Sequence, residues 1–388
     1  MTPQKSTTSE KGKTPRRTAM ALALAAGAGC LAAVAAPAHA QAGRCGDQRE
    51  ARRILERMTK AHGVPGAAVR VDDPRCGTWT AASGVADVRT GRPMRADMRG
   101  RIASVSKSFT AATLLGLVAD GRVALDAPVE RYLPGLVRTP DYDGRRITVR
   151  SLLRHTSGLP DHSDSFPDME KVRFTHFEPE ELVRRALALP PPKKGWHYST
   201  TNYVLAGMIV AKAAGRPFER EVERRIIGPL GLRDTYWPGD RAGIRGPHPR
   251  AYLQGRDVTE WNMSAGGAGG ALVSSPRDVN RFFGALMDGR LLPPAQLAEM
   301  RRTVKADPER TWPGTRYGLG LMRLPLRCGA GTGEAAWYGH AGHFEGWSAM
   351  GAVGPDGRRV SFLFNAAVAT AEAAGDEIEL VREALCDR

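Results

Sequence analysis

A hydroxyl and an amine three residues apart open the stretch Ser104-Val105-Ser106-Lys107. On an α-helix that offset puts both side chains on one face, with Cβ atoms about 5 to 6 Å apart, so the amine reaches the hydroxyl. At a helix start the serine also stands beside free backbone N–H groups and the positive end of the helix dipole, which favour a developing oxyanion. A lysine held in an apolar helix loses proton affinity, as a base acting on serine must. No other Ser-x-x-Lys occurs in the chain. Alone, the pair also describes a solvated lysine near a helix start. Two further segments add to it. Tyr198-Ser199-Thr200-Thr201-Asn202-Tyr203 places a phenol just before a helix, and Tyr338-Gly339-His340-Ala341-Gly342-His343 follows a strand, with small residues that let a bound chain approach the backbone. Taken singly, Tyr198 reads as a core tyrosine and His340 as a surface strand residue. G-x-S-x-G, H-E-x-x-H, a P-loop and a dinucleotide-binding glycine fingerprint are all missing, which argues against an α/β-hydrolase elbow and against metal- or nucleotide-dependent chemistry.

These groups need elements to hold them. Gln48 to His62 reads as a helix, and Ala67–Val71 and Thr78–Val85 as strands. Ile102 to Leu117 is apolar on almost every side and reads as a buried central helix ending at Asp120-Gly121. From about Leu125 to Trp261 short helices and loops are expected, with Thr148 as a cap, a helix over Glu178–Leu189 and another from Thr201 to Ala214 closed by Gly215. Ser275-Pro276 starts a helix running to about Met287, and Pro294–Arg302 is another. Tyr317–Leu324 and Ala336–Gly339 are strand candidates. Trp347–Val353 and Arg359–Asn365 form a hairpin about Pro355-Asp356-Gly357, and Thr370 opens a last helix. The outline is α+β: one antiparallel sheet shared by both chain ends and flanked by the terminal helices, plus a mostly helical lobe at about residues 125–265 and a cleft between them.

The chain has 388 residues, 42% hydrophobic and 25% charged, enough for one large domain with a substantial core. Residues 1–40 read as an export signal: a basic start, an uncharged Ala- and Leu-rich run over Ala19–Ala36, and Ala38-His39-Ala40 before the cut. Arg16-Arg17 leaves a twin-arginine route open, and lipidation at Cys30 or an uncleaved anchor are the alternatives. The folded body then occupies residues 41–388, read as one domain built around the Ser104–Lys107 pair, secreted or extracytoplasmic, with no membrane contact after cleavage. Removing the leader lowers the formal charge from +15 to about +11. That excess, spread along the chain without a nucleic-acid motif, reads as a solvated surface or as attraction to anionic envelope polymers, with no nucleic-acid partner. Four cysteines remain, Cys45, Cys76, Cys328 and Cys386, an even number fit for an oxidising compartment. Pairing Cys45 with Cys76 and Cys328 with Cys386 would staple each end. Without a C-x-x-C, metal binding is the weaker alternative, and no metal or cofactor is expected.

With these motifs in order, the sequence resembles the serine penicillin-recognising enzymes, specifically class C β-lactamases and, more closely, secreted D-alanyl-D-alanine carboxypeptidases. The resemblance runs from about Val64 to Cys386 and includes His155-Thr156-Ser157-Gly158-Leu159, Gly228-Pro229-Leu230-Gly231-Leu232 and Tyr317-Gly318-Leu319-Gly320. It implies a β-lactamase/transpeptidase-like fold and an acyl-enzyme. Ser104 would be the nucleophile, Lys107 its base, and Tyr198 the proton relay to the leaving group. His340 would support the tyrosine's charge and help hold a substrate carboxylate. The backbone of Ser104 and His343, beside Gly342, would form the oxyanion hole. Cysteines 328 and 386 are similar to the carboxypeptidases' C-terminal disulfide.

Three departures bear on specificity. Thr200 stands where the family's tyrosine motif usually has an amide-gripping asparagine, Ala341 lacks the middle hydroxyl of the third motif, and Met322 replaces a carboxypeptidase arginine, leaving Arg323 or His343 to substitute. The expected activity is that of a secreted, penicillin-reactive D-alanyl-D-alanine carboxypeptidase on peptidoglycan stem peptides. The alternatives are an esterase or amide hydrolase of small substrates, a β-lactamase, or a wall-binding module without catalysis. Oligomeric state is not legible.

Overall fold

In the computed structural model, which describes residues 48–328, 335–368 and 370–386, alternation along strand β1 (Gly66–Asp73) divides the apolar interior into two. Ala67, Val69 and Val71 join one core and Ala68 the other, as the period of two demands. The other strands of this sheet are β2 (Gly77–Asp87), β3 (Arg92–Pro93), β4 (Val304–Lys305), β5 (Arg316–Tyr317), β6 (Met322–Pro325), β7 (Ala336–Phe344), β8 (Trp347–Val353) and β9 (Arg359–Phe364). Their spatial order is β3-β2-β1-β9-β8-β7-β6-β5-β4, and neighbours run antiparallel. The two ends of the chain do share one sheet, with Ala67 opposite Phe364 in the β1–β9 pair.

The helices that matter are α1 (Arg49–Lys60), α2 (Ser106–Ala119), α3 (Val149–Leu153), α4 (Pro179–Leu187), α5 (Thr201–Ala214), α6 (Pro276–Met287), α7 (Pro294–Arg301) and α8 (Ala371–Leu385). Ile54, Leu55 and Met58 of α1 and Leu380 and Val381 of α8 pack against Val69, Met350 and Phe362 on one face of the sheet. On the other face α6 lies so close to β8 that a Cβ on Gly351 would stand 2.4 Å from Val279 and 2.5 Å from the Phe283 ring. The caps fall where the sequence places them. Thr148, Ser275 and Thr370 accept from the backbone N–H of Ser151, Asp278 and Ala373, and Gly215 ends α5 in the left-handed region at φ +67°.

Two expectations are corrected. Tyr317–Leu324 is not one strand: the chain turns between β5 and β6, where Gly320 takes φ +71° and a Cβ on Gly318 would lie 2.1 Å from the Met300 carbonyl oxygen. The middle lobe, expected without strands, contains a small ribbon of Tyr252–Leu253 with Arg256–Asp257. A disulfide joins Cys328 to Cys386, tying the end of α8 to the segment after β6. The leader at residues 1–40 and Cys45, the proposed partner of Cys76, lie outside the described residues. Among the described residues no helix is long and apolar enough to cross a membrane.

Helix α2 is buried on all sides from Ser106 to Leu117, as its apolar sequence requires. It is fixed to α6 by Phe109, whose ring stacks on Phe282 with centroids 3.7 Å apart. Phe109→Ala is expected to cost about 3–5 kcal/mol, read as a lowered midpoint of urea unfolding at unchanged slope. A loss below about 1 kcal/mol would show that this stack does not anchor the helix.

Candidate active site

The chain reaches α2 through a constrained entry. Gly100–Arg101 pairs with Val273–Ser274, and the Ile102 amide donates to Leu272 O at 3.1 Å. Ala103 then takes φ +45°, a left-handed conformation that costs a residue bearing a Cβ of order 1–3 kcal/mol. Ser104 consequently sits on a 3-10 turn, Ala103–Val105, just ahead of α2, where one continuous helix from Ile102 was expected. Half-buried, it faces Lys107 in the first α-helical turn.

Lys107 is fully buried. Its Nζ donates to Ser104 Oγ at 3.1 Å, Gly269 O at 3.0 Å and Thr200 Oγ1 at 3.5 Å, and lies over the Tyr198 and Tyr203 rings, 4.8 and 5.5 Å from their centroids. Burial lowers its pKa to about 7, against the opposing pull of the Asp161 charge. Gly269 O can only accept, so a neutral amine still has a hydrogen to give that carbonyl while its lone pair turns to the Ser104 hydroxyl. The position opposite must be glycine, since a Cβ on Gly269 would meet Thr200 Cγ2 at 2.8 Å and Lys107 Nζ at 3.3 Å.

Tyr198 arrives on the extended segment before α5. The adjoining loop, Thr156–Asp161, and His155 hold that segment. Ser199 Oγ donates to Pro160 O at 2.9 Å, and the Thr200 amide donates to Asp161 Oδ2 at 2.8 Å. Burial raises the Tyr198 pKa, and the Ser104 hydroxyl, within hydrogen-bonding reach of the phenol, pulls it back down. The asparagine two residues after Thr200 does not replace the motif's missing amide. Asn202 is fully buried and its amide is held by Ser157 and His155.

The third segment forms β7. Its partner β6 reaches only to Gly339, so from His340 onward β7 turns that edge toward the nucleophile. A Cβ on Gly342 would lie 2.2 Å from Ile102 O and 2.9 Å from Ser104 N, so the strand's backbone runs directly alongside the Ser104 amide. An oxyanion hole of Ser104 and His343 backbone, as the resemblance implies, would lie there. The His343 ring points elsewhere, to Glu377 Oε2 on α8 at 3.0 Å; burial opposes its protonation, but the Glu377 charge and hydrogen bond raise its pKa. His340 lies behind Tyr317 rather than in the cleft. It is fully buried, its Nδ1 bonds to Ala341 O at 2.6 Å, and its Nε2 accepts from Tyr317 Oη at 2.8 Å. Burial, helped by the Lys107 charge, lowers its pKa to about 3. It is therefore neutral, with no ring nitrogen left for a substrate carboxylate, and it bears on Tyr198 only through the Tyr317 ring.

Ser104, Lys107 and Tyr198 thus meet at one point, with the Gly342–His343 backbone beside them. Asp161 and Gly269 belong to the site without having been singled out. Nothing about a lone aspartate in a loop marks it, whereas the run Gly266-Gly267-Ala268-Gly269-Gly270 does signal a close backbone approach. Among the described residues no group of three or more His, Cys, Asp or Glu could hold a metal.

Two outcomes follow from this geometry. With the neutral Lys107 amine as the expected base, kcat/KM should rise with pH through about 7; a profile flat down to about pH 5 contradicts that role. Gly342→Ala forces β7 off the Ser104 amide and is expected to lower kcat by about a hundredfold or more, measured on protein whose thermal melting is first checked.

The chain matches the Beta-lactamase family over residues 51–385. It is 38% identical to the D-stereospecific amidohydrolase of Streptomyces sp., whose structure covers 88% of this chain and 99% of its own length at a TM-score of 0.78. It is 33% identical to the D-amino acid amidase of Ochrobactrum anthropi SV3, covering 86% of this chain and 99% of that one, TM-score 0.72. Esterase EstB of Burkholderia gladioli is 32% identical over 68% of this chain and 77% of its own. With this match running through the serine, lysine and tyrosine segments, the chain belongs to the beta-lactamase and penicillin-binding protein family of serine hydrolases.

Proposed function

We propose that this protein hydrolyses small amides or esters, with D-amino acid derivatives as the substrate class, through an acyl-enzyme on Ser104. The observation that carries the reading is the direction of the Thr200 side chain. Its hydroxyl faces Lys107 Nζ at 3.5 Å, inside the proton-transfer group, and it has no amide to grip the backbone of a longer peptide. Likeness to the Streptomyces amidohydrolase and the Ochrobactrum amidase supports the D-amino acid class. Half-buried Trp196 and Tyr198, with ring centroids 6.1 Å apart and packed on the fully buried Tyr317, would offer a substrate side chain an apolar contact.

Neutral Lys107 takes the Ser104 proton as Oγ bonds to the substrate carbonyl carbon, and the oxyanion rests on the Ser104 and His343 backbone. Collapse breaks the bond to the amine or alcohol, which leaves with a proton passed from Lys107 through Tyr198. Water then attacks the ester, giving up its proton along the same route, and Ser104 is regenerated. On the export signal read from residues 1–40, the reaction takes place outside the cytoplasm, a compartment in which the Cys328–Cys386 bond persists.

A second reading keeps D-alanyl-D-alanine carboxypeptidase activity. What favours it is likeness to the D-alanyl-D-alanine-carboxypeptidase/endopeptidase AmpH of Escherichia coli, 28% identical over 60% of this chain and 60% of its own length. Steady-state turnover of a D-amino acid amide, its L enantiomer, a short-chain ester and a diacyl-D-alanyl-D-alanine peptide separates the two. The D-amide is expected to exceed the peptide in kcat/KM by about tenfold or more, and Ser104→Ala is expected to lower every rate by about 10⁴-fold or more. Preference for the peptide overturns the first reading, and full activity in Ser104→Ala overturns both.

A further inference from the structure

His155 follows α3 with φ +62°, a left-handed conformation uncommon outside glycine, although histidine enters it more readily than most residues. What it gains there is two bonds to the segment carrying the phenol. Its carbonyl accepts the His197 amide at 2.9 Å, and its Nδ1 accepts the Ser199 amide at 3.2 Å. Tyr198 lies between those two points, and the imidazole packs against its ring, tilted by 31° with centroids 4.4 Å apart. One residue therefore holds the backbone on both sides of Tyr198 and the phenol ring as well.

Neighbouring bonds fix which nitrogen carries the proton. Ser157 Oγ donates to Asn202 Oδ1 at 2.6 Å, which orients that amide so that its Nδ2 donates to His155 Nδ1 at 3.2 Å. With two N–H groups aimed at it, Nδ1 must be an acceptor, so the hydrogen is on Nε2. That nitrogen is buried with no hydrogen-bond partner among the described residues, in a cage of the Trp196, Tyr198, Tyr203 and Tyr317 rings. A second proton on the ring would face two donors at Nδ1. It would also be buried beside Lys107; burial first, and then the lysine's charge, hold the His155 pKa down.

We propose that His155 is the positioning residue for Tyr198: a permanently neutral, Nε2-protonated imidazole that holds the phenol against Ser104 and Lys107 without joining in proton transfer. This rests on the proton-relay role given to Tyr198 above. The design leaves Lys107 as the one group of the trio that changes protonation near neutrality.

The test compares His155→Gly, His155→Phe and His155→Asn with the wild type on the best substrate, each first checked by thermal melting. Glycine tolerates the backbone but has no acceptor, and phenylalanine keeps the ring packing alone. Asparagine tolerates φ > 0 and offers its Oδ1 near the place of Nδ1. Glycine and phenylalanine are expected to lose about a hundredfold in kcat with KM nearly unchanged, and asparagine to recover most of that loss. In ¹⁵N-histidine-labelled protein the His155 signals, identified by their absence from His155→Asn, are expected to report the Nε2–H tautomer without titrating between about pH 5 and 8. Wild-type kcat in folded His155→Gly, asparagine no better than glycine, or a ring that titrates in this range would each overturn the proposal. Intact-mass detection of an acylated Ser104 in the wild type keeps the outcomes apart: without that adduct the hydrolase reading fails, whereas with it and wild-type rates in the variants only the role of His155 fails.

Discussion

The chemistry of this molecule depends on an amine held among neutral oxygens. Lys107 has a hydroxyl, a carbonyl and a second hydroxyl within bonding distance, and among the described residues no carboxylate there to stabilise its charge. Full burial makes the protonated form expensive, and Asp161, whose side chain is tied to the Thr200 and Ser163 amides, offsets that only in part. Each neighbour also has a geometric task. The Gly269 carbonyl orients the amine, Ser104 is its target, and Thr200 marks the path toward the phenol.

Keeping the amine dry and aligned takes backbone from three distant parts of the chain, and each pays in conformation or side-chain volume at the meeting point. Ala103 is strained so that Ser104 leaves the α-helix proper, His155 is strained so that it can hold the Tyr198 segment, and Gly342 has no Cβ so that β7 can touch the Ser104 amide. The buried mass of α2, with the Phe109–Phe282 stack and the Ser108 bond to Gly320 O, provides the rigidity against which these distortions are held. Strain concentrated beside reacting groups, in a framework that over-determines it, is the expected arrangement for a preorganised site.

Much of this was legible in the residues, and the parts that were not share a cause. Helix ends were readable because Thr148, Ser275, Thr370 and Gly215 act on their own neighbours. That Ser104, Lys107 and Tyr198 come together was readable because their motifs stand in the order of the family that the sequence resembles. The break after Tyr317 was not, since apolar Leu319 and Leu321 continue a strand-like pattern while Gly318 and Gly320 answer to Met300 and Tyr203, far away in sequence. The place of His340 was misread for a similar reason: a histidine in a motif invites a catalytic role, but the Tyr317 hydroxyl that occupies it comes from another strand. Asp161 and the second task of His155 depend wholly on tertiary bonds, which no local pattern encodes.

The pairing of β1 with β9 has a consequence for how the protein is made. The sheet's first two strands have no interior neighbour until nearly the whole chain has been synthesised, because the strand that completes them is among the last to emerge. A nascent chain that has delivered its serine, lysine and tyrosine still lacks β7, and with it the wall against which the nucleophile is set. Pairings this remote in sequence form slowly. A half-finished copy therefore lacks both the interior partner of β1 and the strand that lies along the Ser104 amide, and the surroundings of the serine are completed only as the last strands close the sheet.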